Sequence, residues 1–322
     1  NDVNYNNENI SIDYENAELY EKALEHKDRD FLQIATAFNN TVRIYIARTT
    51  EIVKDAQKVH QMYPTCIAAL GRTLTATLIM GSMLKGGQSI AVKIDGDGPI
   101  GKIVCESDTT GRVMGYLHNG GVYLKYKNGK LNVGDAVGRS GSLTVVKDLH
   151  LKEPFVSTVP LISGEIAEDF TYYFAESEQV PSSVSLGVLV GLNNEVLAAG
   201  GFIVQVMPGC SEETIKILEE NLAKIPSVSD LIQQGKTGRE IAKLIAGDAD
   251  YNVLKNFPVK YKCSCSKERF AKGLRSLGYR TIEKIYQEDR QINATCQYCK
   301  QTYNFNEEEL EDMLESLKGG KK

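Results

Sequence analysis

The chain has 322 residues, 42% of them hydrophobic and 25% charged, an ordinary balance for a soluble globular protein and enough length for a substantial core plus a further module. A formal net charge of -5 argues against a broad nucleic-acid-binding surface. Seven cysteines, an odd number with four clustered near the C-terminus, fit a reducing compartment, cytosol or organelle matrix, better than a secreted disulfide scaffold.

In chain order, residues 1–29 are rich in Asn, Asp and Glu and lack the features of a signal or transit peptide. They read as a largely disordered leader with one helical segment near Glu15 to His26. From Phe31 to Arg48 apolar and polar residues alternate, with Val42, Ile44 and Ile46 on one face, as in a half-buried strand. Helices are expected from Thr50 to about Gln61 and from Pro64 to Gly86-Gly87. The most apolar stretch, Cys66 to Leu84, is interrupted by Arg72, Thr73, Thr75 and Thr77, which makes it a buried core helix and not a membrane span.

Strands follow at Ser89 to Ile94, Lys102 to Glu106, Arg112 to Leu117, Leu143 to Asp148 and Phe155 to Pro160. Gly96-x-Gly98-x-x-Gly101 matches a dinucleotide fingerprint by letter, but Pro99 lies inside it and a strand follows it, so the reading is a β-turn. A helix near Glu165 to Glu176 precedes a hairpin of Val184 to Leu192 and Val196 to Val206 across Asn193-Asn194. Residues 30–210 thus form an α+β domain with mostly antiparallel sheet and segregated helices.

After Pro208-Gly209 short amphipathic helices with clear caps take over, one behind Ser211 and one behind the capping box Thr237-Gly238-Arg239-Glu240. They are too short to be stable alone, so residues 211–258 read as a helical linker held only by packing and open to release.

From about Val259 to residue 322 the chain carries its most informative pattern, Cys263-Ser264-Cys265 and, 30 residues on, Cys296-Gln297-Tyr298-Cys299. Four soft sulfurs in two short pairs suit a closed tetrahedral zinc site. Cys-x-Cys is less common than Cys-x-x-Cys; alternate residues of an extended stretch point the same way, so both sulfurs reach one ion. A site able to hold zinc or to close short-loop disulfides is a candidate redox switch. Helices are expected after Ser266, near Thr281 to Gln287, and behind Asn306 with Glu309 at its third position. Lys262, Lys267, Arg269 and Lys300 flank the thiols, where cations would stabilise a four-thiolate zinc centre of formal charge -2.

Cys263-Ser264-Cys265-Ser266-Lys267-Glu268-Arg269, Cys296-Gln297-Tyr298-Cys299 and Tyr303-Asn304-Phe305 together resemble the zinc module of the redox-regulated 33-kDa heat-shock chaperone family. Gly71-Arg72-Thr73, Gly96-Asp97-Gly98-Pro99, Ser177-Glu178-Gln179-Val180-Pro181 and Gln205-Val206-Met207-Pro208 resemble that family's core in order and spacing; the leader departs from it. The resemblance implies an ATP-independent holdase, inactive while Cys263, Cys265, Cys296 and Cys299 ligate zinc. It also implies activation by disulfides Cys263–Cys265 and Cys296–Cys299, loss of zinc, linker unfolding, capture of unfolding client proteins, and a homodimer in the oxidised state. Neither nucleic acid nor a membrane is an expected partner, and the expected location is cytoplasmic, or an organelle matrix if the leader is a targeting remnant.

Two other readings of the thiols compete. A thiol-disulfide oxidoreductase needs its Cys-x-x-Cys to open a helix, where the dipole lowers the thiol pKa, but the residues after Cys299 read as strand and turn. A zinc ribbon docking nucleic acid or protein would carry basic and aromatic clusters, whereas the terminal helix carries Glu307, Glu308, Glu309, Glu311, Asp312 and Glu315. Cys66 and Cys105 read as buried core thiols, Cys210 as structural. His26, His60, His118 and His150 are scattered, no catalytic constellation is assembled, and an enzyme is not expected.

Overall fold

A computed structural model describes residues 29–319 of the chain. The leader helix expected near Glu15 to His26 lies outside the described residues. Within them the α+β class and the mostly antiparallel sheets read from the sequence are present.

The stretch expected as one strand folds back as a hairpin, β1 (Phe31–Ala37) against β2 (Val42–Arg48), with Phe31 opposite Arg48. The turn is made by Phe38, Asn39 and Asn40 at φ of 52°, 53° and 64°. Asn tolerates that left-handed region, and Asn39-Asn40 was the signal that the alternating pattern masked. Thr36 Oγ1 donates to Asn40 Oδ1 at 2.6 Å and closes the turn.

Helix α1 (Thr50–His60) leads to α2 (Pro64–Ser82). Five strands of the six-stranded sheet follow, β3 (Ser89–Gly96), β4 (Lys102–Asp108), β5 (Arg112–Leu117), β6 (Gly141–Asp148) and β7 (Phe155–Pro160), and its sixth comes from Lys260–Tyr261. The short α3 (Val133–Val137) was not foreseen; α4 (Ala167–Tyr173) continues into one π-turn, Phe174–Glu178. The expected hairpin is β8 (Ser182–Val190) and β9 (Val196–Val206).

Helix α2 lies between the sheets, against β4 and β5 on one side and β8 and β9 on the other. It is buried on nearly every face, as a helix with apolar residues all round requires. Thr73, Thr75 and Thr77 survive there because each hydroxyl donates to the carbonyl four residues back, at 2.8 Å. Arg72 reaches out to Glu165 at 2.7 Å. The glycines of the fingerprint-like stretch serve packing: a Cβ on Gly96 would lie 2.1 Å from the Val137 carbonyl oxygen, so only glycine permits that approach to α3.

Three helices, α5 (Glu212–Lys224), α6 (Val228–Gln233) and α7 (Gly238–Ala246), cover the outer face of the five-stranded sheet. Leu218, Leu231, Ile232, Ile241 and Ile245 pack there on Phe31, Ile44, Ile46 and Phe202. The expected caps form: Ser211 Oγ accepts from Thr214 N at 3.1 Å, and Thr237 and Glu240 bond reciprocally. Two elements differ: α6 was not among the helices expected, and the segment behind α7 is not helical. The chain after α7 is a strand, β10 (Tyr251–Pro258), antiparallel to β1 with Ala37 opposite Tyr251. It completes the sheet order β10-β1-β2-β9-β8; an exposed edge on β1 outweighs the weak pattern of the segment itself.

The C-terminal region has its own small core. Elements α8 (Lys267–Ser276), α9 (Tyr279–Glu288), the hairpin β12 (Ile292–Thr295) with β13 (Thr302–Phe305), and α10 (Glu307–Gly319) gather Ile282, Phe305, Leu310, Met313 and Leu314. Asn306 and Glu309 cap α10 reciprocally at 3.0 and 3.1 Å, as the sequence reading has it. No helix among the described residues is long and apolar enough to cross a membrane.

Candidate metal centre

The first thiol pair is delivered by a strand of two residues, β11 (Lys260–Tyr261), which joins the six-stranded sheet parallel to β5. Lys260 N donates to Gly111 O at 2.9 Å and Lys262 N to Val113 O at 3.0 Å. The chain then runs through Cys263 to Cys265, whose amide donates to the Cys263 sulfur at 3.4 Å. Ser266 then caps α8, and Arg269 binds the Ser264 carbonyl at 3.0 Å and hydroxyl at 2.7 Å.

The second pair sits in the tight turn between β12 and β13. Cys296 N donates to Gln301 O at 2.8 Å and Lys300 N returns to Cys296 O at 2.9 Å, with Lys300 at φ 60°. This knuckle aims both sulfurs at the first pair.

All four Sγ atoms lie within 4.8 Å of one another. Cys263 and Cys296 approach to 3.7 Å, Cys265 and Cys299 to 3.4 Å. Zinc–sulfur bonds of about 2.3 Å in a tetrahedron place sulfurs roughly 3.8 Å apart, so the cluster has the size of a four-thiolate metal site. Among the described residues it is the one group of His, Cys, Asp and Glu side chains close enough to hold an ion.

The sulfurs are not equivalent. Burial raises the Cys263 and Cys299 thiols above the ordinary range. Burial also acts against Cys265, but the Tyr303 hydroxyl at 3.3 Å and the neighbouring thiols outweigh it and lower its pKa. Of the expected flanking cations, Arg269 orders the Cys-x-Cys turn, while Lys267 pairs with Glu309 at 2.5 Å and lies over the Phe305 ring.

The sequence reading missed the seam where this module meets the sheet. Tyr298, inside the Cys-x-x-Cys turn, donates its hydroxyl to Glu106 of β4 and sets its ring edge-on to Tyr116 of β5, centroids 5.0 Å apart. The Tyr261 hydroxyl lies 2.9 Å from the Gly115 carbonyl and 2.7 Å from the Tyr298 carbonyl, its one proton serving either. His60 Nε2 is 3.0 Å from the same Gly115 oxygen. Burial first, and then the Lys300 charge, lower the His60 pKa, so a neutral ring occupies the seam near neutral pH. No residue spacing could have paired Tyr298 with Glu106, 192 positions away.

The remaining cysteines match their reading. Cys66 on α2 and Cys105 on β4 are buried, burial pushing the Cys66 thiol up to about 11 and the Cys105 thiol well above its ordinary value. Cys210 is half-buried and lies outside the cluster. Cys299 runs on into β13, and no helix opens at the Cys-x-x-Cys pair, so the dipole that activates an oxidoreductase thiol is missing there.

A family model described as "Hsp33 protein" matches residues 30–306. The chain is 49% identical over 290 residues to a 33 kDa chaperonin of Geobacillus kaustophilus, covering 90% of this chain and 99% of the relative. It is 48% identical over 289 residues to a 33 kDa chaperonin of Bacillus licheniformis, covering 89% and 100%. A crystal structure of a 33 kDa chaperonin from Thermotoga maritima superposes with a TM-score of 0.81 at 37% identity, covering 89% of this chain and 98% of that one.

Proposed function

The chain belongs to the Hsp33 protein family, a chaperone family, and we propose that it is an ATP-independent holdase switched on by oxidation. One observation carries this reading: a four-sulfur cluster of tetrahedral size joins, through four residues of chain, a segment that covers an apolar sheet face. Residues 30–210 are the core, 211–258 the releasable linker and 259–322 the switch module.

Cys263, Cys265, Cys296 and Cys299 hold zinc as thiolates. Zinc, when bound, supplies on the order of 10 kcal/mol of folding free energy to a module with so small a core of its own. Under hydrogen peroxide, two thiolates give up two electrons to form one S–S bond, and the peroxide takes those electrons with two protons from solvent to become two waters. Two such steps convert all four sulfurs, which then no longer carry the charge that retains a cation.

The pairing assigned is Cys263–Cys265 and Cys296–Cys299. Sulfur contacts at rest also run across the pairs, at 3.7 and 3.4 Å, and these must give way before the bonds close. Peptide mapping of the oxidised protein reads the pairing directly.

A module that loses its order loses β11 and the Tyr298 contacts. The linker follows, and the outer sheet face with Phe31, Ile44, Ile46 and Phe202 becomes open to unfolding clients. The oxidised form acts as a homodimer, in the cytoplasm. Light scattering from a heat-unfolded client tests the whole: suppression by the peroxide-treated protein and not by the reduced, zinc-loaded protein is expected. Failure of both, with zinc bound in the reduced sample, would leave a metal-stabilised binding protein.

A further inference from the structure

The seam between the linker and the sheet contains a flaw. On β1, Phe31, Ala35 and Ala37 face outward into the apolar layer beneath the linker helices. Gln33 shares that parity and that face. It is 1% exposed, and neither its Oε1 nor its Nε2 reaches a partner.

Rotating the amide exchanges the two atoms and rescues neither. Gln33 is pressed against the first turn of α7, where a Cβ on Gly238 would lie 2.7 Å from Gln33 Oε1. Directly opposite Gln33 on β10 stands Asn256, so the two side chains emerge side by side. Asn256 Oδ1 is also buried without a partner. Among the described residues Gln33 alone has both polar side-chain atoms orphaned.

We infer that Gln33 and Asn256 form a built-in weak point that keeps the segment Ser211–Pro258 only marginally docked on the five-stranded sheet. The inference deepens the switch reading, since it explains how a covering layer with a buried apolar seam can still come away. Polar groups denied a partner only in the docked state favour the undocked one, where water satisfies them. The penalty acts on this segment alone, because β1 and the helices separate along that row while the inner face of the sheet stays packed on α2.

Replacing Gln33 by Met keeps length and volume and removes the orphaned atoms. In the full-length, reduced, zinc-loaded protein, Gln33→Met should slow hydrogen exchange of the α7 and β10 amides by about tenfold or more, the population shift a buried orphan amide produces. Exchange in α2 and β3 should not change. Unchanged or faster exchange in α7 and β10 overturns the inference. Should that variant fail to fold, Asn256→Val decides by the same criterion. No oxidant or client enters the measurement, so slowed exchange beside a failed light-scattering experiment would sink the chaperone switch and leave the weak point standing.

Discussion

Tyr298→Phe isolates the link between the metal centre and the sheet. The substitution removes one hydroxyl and keeps the ring, so the edge-on contact with Tyr116 and the Tyr261 bond to the Tyr298 carbonyl persist. What is lost is a hydrogen bond to a carboxylate, worth roughly 1.5–3 kcal/mol. Glu106 is half-buried and regains water once freed, which selects the lower end, about 1.5 kcal/mol. That is about tenfold in the undocking equilibrium. The amides of Lys260 and Lys262 report it, because they donate across the seam to Gly111 and Val113. Their exchange, read by NMR in the reduced metal-loaded protein, should accelerate about tenfold, with metal content and the exchange of β3 unchanged. Equal exchange in both proteins would mean that β11 pairing alone holds the module, and the role given to Tyr298 would be wrong.

Two further outcomes are expected. Cys296→Ser removes one of four sulfurs, about a quarter of a zinc-binding free energy of roughly 10–16 kcal/mol, so affinity should fall by on the order of 100-fold or more in competition with a chromophoric chelator; undiminished affinity would remove Cys296 from the ligand set. Burial pushes the Asp30 carboxyl up to about 7, against the pull of the Ile52 amide at 2.8 Å and of Arg48 at 3.3 Å. The native state therefore keeps a proton that the unfolded chain has released above about pH 4, and stability from this group is full below that and lost as pH rises through 7, by roughly 4 kcal/mol in all. Asp30→Asn should flatten that decline in urea titrations followed by circular dichroism from pH 4 to 8, and parallel curves for the two proteins would contradict it.

Where the sequence was legible, one local rule decided the outcome. Helix α2 was readable because its apolar run has no polar face to hide, and the two helix caps at Ser211 and Thr237 because a cap is a matter of three or four residues. The cluster of four thiols was readable for the same reason, since a site able to hold a metal has its donors at characteristic spacing. Strand β10 was not, because Tyr251–Pro258 becomes a strand only when β1 offers its edge. The Tyr298–Glu106 bond and the Gln33–Asn256 pair were not, because each is a meeting of distant residues with no compositional trace. The Asn39-Asn40 turn was legible and was overridden by a pattern that ran on through it.

The direction of coupling follows from chain connectivity and from relative magnitudes. Cys263 follows Pro258 by five residues, and in that span the chain leaves one sheet and enters the other: β10 pairs with β1, and β11 with β5. Val259 N donates to Asp30 O at 3.3 Å between them, and Asp30 itself holds the start of α1. A strand of two residues contributes little, so the docked position depends on Tyr298 and Tyr261, each worth on the order of 1 kcal/mol. Those contacts exist only while the Cys-x-x-Cys turn is ordered, and in the proposed switch that order rests on a metal worth on the order of 10 kcal/mol to a module with five buried apolar residues. The large contribution thus sits at the thiols and the small ones at the sheet. Loosening the sheet side frees the linker without discharging the metal, whereas discharging the metal removes every contact between the cysteines and β10, and so in the proposed switch the signal runs from sulfur to sheet.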